Sequence, residues 1–560
     1  MQKLVECVPN FSEGRDLEKI RLITDEIETV PGVQLLDVDP GADTNRTVVT
    51  FVGSPDDAVE AAFRAIRKAA QLIDMATHSG EHPRMGATDV CPFVPLQGTT
   101  MEDCAALART LGERVGKELG ISVYLYGEAA SSPQRQSLAD VRSGEYEAMA
   151  EKIRKPEWKP DFGPTTLNTR AGVTAVGARE FLIAYNVNLN TKSKTLAHEV
   201  ALDVRELGRN KRGADGKFVR DADGTPVKES GRLKECRAVG WFIDEYARAQ
   251  ISMNLTNYKV TSMHAAFDAC EEEARKYGLR VTGSELVGLI PLDAMRDAGR
   301  HYLEKQGLST GVPERDLIEL AIQSLGLAEL GEFDPEQKII EYRVQKRTGR
   351  LIDMTVQGFA DELSTDSPAP GGGSVAALCG ALGGALAAMV ANLTIGKKKL
   401  QESWDAMRPV GDQGQSVKDR LLHLVDADTD AFNSLMAAMR LPKNTDEEVA
   451  ARTTAMQDAT KEATLIPFRV LEASLEVLGL AETAAEHGNP NSASDAGVAA
   501  LCARTCAEGA FLNVLINLPG IDDRAWTEDL RTRAQAHCQA ARRQADAIVT
   551  AVEKKIAEQP

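Results

Sequence analysis

The 560-residue chain lacks several features that would fix its class at once. It has no C-x-x-C pair: nine cysteines, an odd number, are scattered as Cys7, Cys91, Cys104, Cys236, Cys270, Cys379, Cys502, Cys506 and Cys538. That spacing argues against a disulfide framework and against a thiolate metal site. The opening "MQKLVECVPNFSEG" has no signal-peptide pattern, so a reducing cytoplasm is the expected setting. There is no excess of positive charge. With 65 Lys+Arg against 83 Asp+Glu the net charge is -18, which opposes general affinity for nucleic acid or an anionic membrane and leaves an anionic substrate in need of a local basic groove. A strongly lipophilic run is also missing. The one long uncharged stretch, 367–396, opens "SPAPGGGS", continues mostly in Ala and Gly, and ends at Lys397-Lys398-Lys399. Alanine and glycine contribute little transfer energy and let helices approach closely, so this is read as a packed helix with no membrane insertion. "PAPGGGS" also lacks the Lys-Ser/Thr ending of a nucleotide-binding loop, which disfavours ATP.

The length predicts two to four domains. The first third alternates strand and helix patterns: Leu4–Val8, a helix near Leu17–Glu28, Val33–Val38, Thr47–Val52, a helix near Asp56–Met75, then Val90–Val94. That order, β-α-β-β-α-β, is the one of a ferredoxin-like sandwich. It recurs in Phe181–Leu189, a helix from Ser193 to Glu206, Ala238–Ile243, Ile251–Leu255, a helix from Met263 to Tyr277, and Leu286–Ile290. The glycine-rich excursion 208–232 reads as an exposed loop or hairpin. From Leu351 onward the pattern is almost wholly helical. The division is therefore 1–178 and 179–330 as two α+β subdomains, 331–350 as a linker, and 351–560 as an all-α helical bundle.

Three stretches can carry chemistry. "HSGEHPRMGATD" places His78 and His82 four apart with Glu81 between them, an inverted zinc-hydrolase pattern that needs a continuous helix. Gly80 and Pro83 break that helix, which leaves a plain polar loop or an acid/base histidine. In "LLHLVDADTDAFNSLMAAMRLPKN", at 100° per residue, Asp428 shares a stripe with Leu421, Leu424, Val425, Phe432, Leu435 and Met439, while Asp426 and Asp430 point to solvent. A carboxyl on an apolar stripe costs several kcal/mol unless it is partnered or protonated, so Asp428 is read as a functional acid. "GNPNSASDAGVAALCARTCAEGAFLNVLINL" offers partners: Asn489, Ser494 and Asp495 at a helix start, where capping alone is an equal reading for Ser494, and Asn513 on the same helical face. Cys502 and Cys506 share a face without further soft ligands, and packing outweighs metal binding there.

These segments also coincide with a known family. "LVECVPNFSEGR", "LLDVDPGADTNRTVVTFVG", "GEHPRMGATDVCPFVP" and "VYLYGEAA" resemble glutamate formimidoyltransferase over about the first 330 residues, and "PAPGGGSVAAL", "VDADTDAF", "MRLPKN" and "FLNVLINL" resemble formimidoyltetrahydrofolate cyclodeaminase. The resemblance implies transfer of a formimino group from N-formimino-L-glutamate to tetrahydrofolate. Ring closure to 5,10-methenyltetrahydrofolate with release of ammonia follows, in folate-linked histidine degradation and one-carbon metabolism. His82 matches the transferase catalytic histidine and Asp428 the cyclodeaminase acid. The folate-binding loop maps onto Gly163, Pro164, Thr165, Thr166, Leu167, Asn168, Thr169, Arg170, Ala171 and Gly172, with Arg170 facing the glutamate tail. Asp39 or Glu6 is expected to orient His82, Arg46 or Arg84 to hold a substrate carboxylate, and Ser374 to belong to the second site. The expected co-substrate is tetrahydrofolate, polyglutamylated or not, with no metal. The expected partners are small molecules and further copies of the chain, in a ring-like octamer built from dimers. "GNPNSASDAGVA" also resembles the stand-alone methenyltetrahydrofolate cyclohydrolases; fusion to a transferase half favours deamination. A folate-binding scaffold with inactive centres is the alternative of another class, and the presence of His82 and Asp428 argues against it.

Overall fold

The computed structural model describes residues 3–42, 44–80, 82–213, 215–244, 246–344, 351–367 and 369–558. The chain divides into two compact units, one of residues 1–298 with 322–346 and one of 299–321 with 347–560.

The first unit holds two sheets. In the larger one, strands Leu4–Cys7 and Asn10–Phe11 run between Arg46–Gly53 and Thr88–Gln97, Gln34–Gly41 pairs outside Arg46–Gly53, and Val173–Ala178 and Ser122–Gly127 extend the sheet in parallel beyond Thr88–Gln97. Because strand side chains alternate, one face carries Val5, Cys7, Val49, Phe51, Cys91 and Phe93 into a core with Ile23, Ile27, Phe63, Ile66 and Leu111 from the covering helices. Those helices start where the sequence caps them. Ser54 accepts from Asp57 N with Pro55 in the first turn, and Thr100 with Asp103 forms a reciprocal capping box. The second sheet runs Cys236–Ile243, Arg248–Leu255, Ile183–Leu189, Val281–Val287. Ile183, Tyr185, Val187 and Leu189 are buried on one face, while Ala184, Asn186 and Asn188 alternate onto the other.

Several boundaries differ from the expected ones. The strand placed at Leu286–Ile290 is Val281–Val287, and the helix placed at Asp56–Met75 is Pro55–Leu72. The excursion 208–232 is a hairpin tied by pairing of Arg209–Asn210 with Lys228–Glu229. The expected linker is partly structured: Pro335–Lys338 and Ile340–Val344 are short helices, with Ile339 and Ile340 fully buried, whereas 345–350 lie outside the described residues. Residues 309–311, expected in the second α+β subdomain, pack on the helical unit. Thr310 Oγ1 donates to Asp412 at 2.7 Å, and Asn392 Nδ2 donates to the Gly311 carbonyl at 2.9 Å.

In the second unit, helices Trp404–Met439, Asp446–His487 and Ala493–Asn517 surround Gly372–Asn392. The glycines of that central helix admit its neighbours: a β-carbon on Gly384 would come 3.2 Å from the Gly414 carbonyl oxygen, and one on Gly383 would come 3.0 Å from that of Ala499. Gly372–Asn392 and Pro490–Gly520 are apolar and long enough to cross a membrane, but the first is 61% buried inside this unit, as a core helix is.

Candidate active sites

The open face of the large sheet forms the floor of a cleft of about 490 Å³ in the first unit. Alternate residues of five strands, and Val8 between the first two, reach it: Glu6, Val8 and Asn10; Asp37, Asp39 and Gly41; Arg46, Val48 and Thr50; Val90 and Pro92. Leu182, Ala184, Asn254 and Val287 reach it from the second sheet or its edge, and His82, Tyr126, Arg142 and Arg179 complete the wall.

His82 lies on a loop, as Gly80 and Pro83 imply; the preceding helix has ended at Leu72. Gly80 is needed there for space, because a β-carbon would come 2.4 Å from the Thr44 carbonyl oxygen. His82 Nδ1 lies 2.7 Å from the Pro83 carbonyl oxygen. That oxygen can only accept, so Nδ1 carries the proton and Nε2 keeps its lone pair. Burial lowers the imidazole's pKa below its usual value of 6.5, and the nearby Arg46 guanidinium lowers it further. The ring is therefore neutral near pH 7, with a free basic nitrogen. His78 differs: Nε2 bonds the Asn45 carbonyl at 3.0 Å and Nδ1 accepts from Arg84 Nε at 3.3 Å. Among the described residues, no three His, Cys, Asp or Glu side chains stand where they would share a metal ion.

Arg46 and Arg84, paired in the expectation, have separate fates. Arg84 is buried away from the cleft wall, bonding Glu147 at 2.7 Å and Glu145 at 3.0 Å, and so is not placed to hold a substrate carboxylate. Arg46 does reach the cleft. It donates to Asn10 and, at 2.5 Å, to Asp89, a fully buried carboxylate that also receives Arg142 at 2.7 Å and Met85 N at 2.9 Å. Burial works against the Asp89 charge, but the two guanidiniums prevail and hold its pKa low. Two cations sharing one anion leave a net positive wall beside His82. Arg142 and Asp89 were not picked out in the sequence; residues 53 apart give no local sign that they pair. Asp39 is exposed at the rim. Glu6 is only 2% exposed, its Oε2 has no hydrogen-bond partner, and burial pushes its pKa up to about 7.

The 163–172 segment does not line this cleft. Asn168 Oδ1 accepts from Arg170 N and Ala171 N, the Arg170 guanidinium donates to the Gln71 carbonyl at 2.8 Å, and Thr169 accepts from Tyr146. Arg170 is thus committed within the fold. The end of the loop is nonetheless fastened to the segment after His82: Ala87 N donates to the Ala171 carbonyl and Val173 N to that of Met85. Thr165, Thr166 and Thr169 are exposed.

In the helical unit Asp428 is half-buried, and Leu421, Leu424 and Val425 of its stripe are in the core. Met439, assigned to the same stripe, is 41% exposed at the last residue of the helix. The Asp428 carboxyl faces the start of Gly372–Asn392. Ser374 Oγ is 3.3 Å from Oδ2, and a β-carbon on Gly373 would come 2.2 Å from Oδ1. Burial raises the Asp428 pKa although the Ser374 hydroxyl and backbone N–H bond the charged form. Asn513 adjoins the same turn: a β-carbon on Gly372 would lie 3.4 Å from its Nδ2. Asp430 is exposed, but Asp426 is not the solvent-facing residue expected. Its Oδ1 accepts from Leu351 N at 2.8 Å, anchoring the start of the domain.

Asn489, Ser494 and Asp495 are not at this site. At 1.5 Å per residue, Asp495 lies about 27 Å along the helix from Asn513, so a shared face did not mean a shared place. Asn489 instead joins the far end of the central helix, donating its backbone N–H to Thr394 Oγ1 and its Nδ2 to the Leu393 carbonyl. Ser494 is exposed and Asp495 half-buried.

Comparison with known proteins adds three family models in chain order. Residues 4–179 match the N-terminal subdomain of the formiminotransferase domain, 184–345 match the formiminotransferase domain, and 355–536 match formiminotransferase-cyclodeaminase. A formimidoyltransferase-cyclodeaminase of Mus musculus is 43% identical over 557 residues, covering 99% of this chain and 100% of its own. A glutamate formimidoyltransferase of Thermoplasma acidophilum is 46% identical across 57% of this chain and 98% of its own. A methenyltetrahydrofolate cyclohydrolase of Methylorubrum extorquens is 46% identical across 31% of this chain and 84% of its own.

Proposed function

The chain belongs to the formimidoyltransferase-cyclodeaminase family, and from that membership we propose two successive reactions, one in each compact unit. The first unit moves the formimino group of N-formimino-L-glutamate to a ring nitrogen of tetrahydrofolate. The second closes the ring of 5-formiminotetrahydrofolate to 5,10-methenyltetrahydrofolate and releases ammonia. The product of one unit is the substrate of the other.

The observation that carries this reading is that each unit sets one ionisable group, shifted by burial, at a polar pocket or helix start: His82 and Asp428. In the transfer, a folate nitrogen attacks the amidine carbon and loses its proton to His82 Nε2. The same imidazolium then protonates the glutamate nitrogen as its bond to carbon breaks. Arg46 and Arg142 supply the positive wall for the carboxylates of formiminoglutamate. In the ring closure, the adjacent folate nitrogen adds to the formimino carbon. Asp428, whose pKa burial raises, gives its proton to the departing amino group so that ammonia leaves. Gly373 and Ser374 seat that carboxyl, and Asn513 adjoins the same helix turn.

The two βαββαβ sheets are ferredoxin-like subdomains and the long helices form a bundle. Exposed threonines of the 163–172 loop contact folate, polyglutamylated or not, and neither step uses a metal. The protein works in the cytoplasm as a homo-oligomer, an octamer built from dimers, supported by exposed Val498, Leu501, Leu512 and Ile516 on one helix.

A steady-state assay of ammonia release from formiminoglutamate plus tetrahydrofolate tests the whole sequence. The cyclohydrolase relative favours one other outcome for the second unit, hydrolysis of the methenyl ring. That activity with no ammonia would replace the deaminase reading.

A further inference from the structure

Glu6 stands out within the cleft because its chemistry is unanswered. It sits on a central strand paired on both sides, so its backbone is fixed, and strand alternation turns Val5 and Cys7 into the core and Glu6 toward the cleft. Its Oε2 is buried without a hydrogen-bond partner. The charged groups that most affect it are Arg179 and Glu341, which pull in opposite directions. Arg179 bonds the Glu180 carbonyl at 2.9 Å and does not satisfy Oε2. A buried carboxyl with an open acceptor is a costly feature for a fold to keep unless a ligand completes it.

We propose that Glu6 is the specificity-determining residue of the transferase cleft, receiving the cationic amidine of the formimino donor through N–H···O bonds from its terminal nitrogen. This rests on the formimino-transfer reading above. An amidine is a strong base, protonated near pH 7, and presents the planar N–H donors that a carboxylate accepts side by side, as it does from arginine. The donor then spans the cleft, its carboxylates toward Arg46 and Arg142 and its cation toward Glu6. That places the amidine carbon in the cleft that His82 borders. An amide of the same outline has no charge to offer, so Glu6 separates formimino from formyl donors. The role differs from orienting His82, whose tautomer the Pro83 carbonyl already fixes.

The test compares wild type with Glu6→Gln at saturating tetrahydrofolate, using N-formimino-L-glutamate as donor and N-formyl-L-glutamate, the neutral amide, as competitor. In the variant, KM for the formimino donor rises about 10- to 100-fold, the loss expected for a hydrogen bond to a charged group. The inhibition constant of the formyl compound changes less than about twofold on the same reasoning, since a neutral amide loses no ion pair. Far-ultraviolet circular dichroism and a cooperative denaturant melt verify that the variant is folded. An unchanged KM, or equal weakening of both ligands, overturns the proposal. If wild type itself fails to transfer the formimino group, the underlying reading falls and this inference with it. Should Glu6→Gln not fold, Glu6→Asp, which keeps the charge but shortens its reach, is to show the same selective rise in KM; equal weakening of both ligands again overturns it.

Discussion

Gly373 and Asp428 are in such close contact that a β-carbon on the glycine would lie 2.2 Å from one carboxyl oxygen and 2.5 Å from the other. Gly373 does not have a left-handed backbone, so its small size is what the site uses. Gly373→Ala is expected to displace the carboxyl and lower ammonia release from 5-formiminotetrahydrofolate by at least about tenfold, part of a general acid's contribution. Formimino transfer should persist. Equal loss of both activities in a folded variant would reject the positioning role.

The three neighbouring acids divide by what they touch. Asp428→Asn removes the proton that leaves with ammonia and should cost about 10²–10⁴ in rate. Asp430→Asn, on an exposed position, should be silent. Asp426→Asn weakens the acceptor for Leu351 N, and its effect should appear as about 1 kcal/mol of stability, read as a lower unfolding midpoint with little loss of rate.

Glu6 also leaves a thermodynamic signature. Its folded pKa of about 7 lies above the unfolded value of 4.5, so the fold prefers the protonated form. The stabilising preference is full below pH 4.5 and is lost as pH rises to about 7. At 1.4 kcal/mol per pKa unit the loss is on the order of 3 kcal/mol. Denaturant melts of Glu6→Gln and wild type should therefore diverge between pH 5 and 8, with the variant the more stable at pH 8. A variant that is less stable at pH 8 would identify Glu6 as a structural residue.

His82→Ala should abolish transfer while ring closure from supplied 5-formiminotetrahydrofolate continues. His82 must be neutral to act, and its pKa lies below 6.5. The acid limb of kcat/KM assigned to it should therefore lie below pH 6.5, most visibly in Glu6→Gln, where the carboxyl no longer titrates. Chelators should leave both reactions unchanged. About one zinc per chain by elemental analysis, lost in His78→Ala, would overturn the loop reading.

Arg142, on the cleft wall, and Arg84, outside it, should behave differently. Arg142→Ala should raise KM for formiminoglutamate by about tenfold or more, for loss of a charged hydrogen bond. Arg84→Ala leaves Glu145 and Glu147 without their cation outside the cleft. It should lower stability and leave that KM nearly unchanged.

The sequence by itself determined most elements and their order, because side-chain period acts over a few residues: strands near Leu4, Thr47 and Phe181, and a helix near Asp56. It also determined that His82 lies on a loop and that Asp428 shares the apolar stripe of Leu421 and Leu424, since Pro83 and the 3.6-residue repeat are local constraints. Only the tertiary structure decided which of these residues meet. Asp495 and Asn513 share a helical face but sit at opposite ends. Arg84 and Arg46 look alike in sequence, yet one is spent on Glu147 and the other faces the cleft. Asp89 and Arg142 join across 53 residues, and Gly373 is revealed as a seat for Asp428 only when two helices pack. Helical phase fixes direction around an axis and strand alternation fixes a face, but neither fixes distance along the chain's path, and a site is a matter of distance.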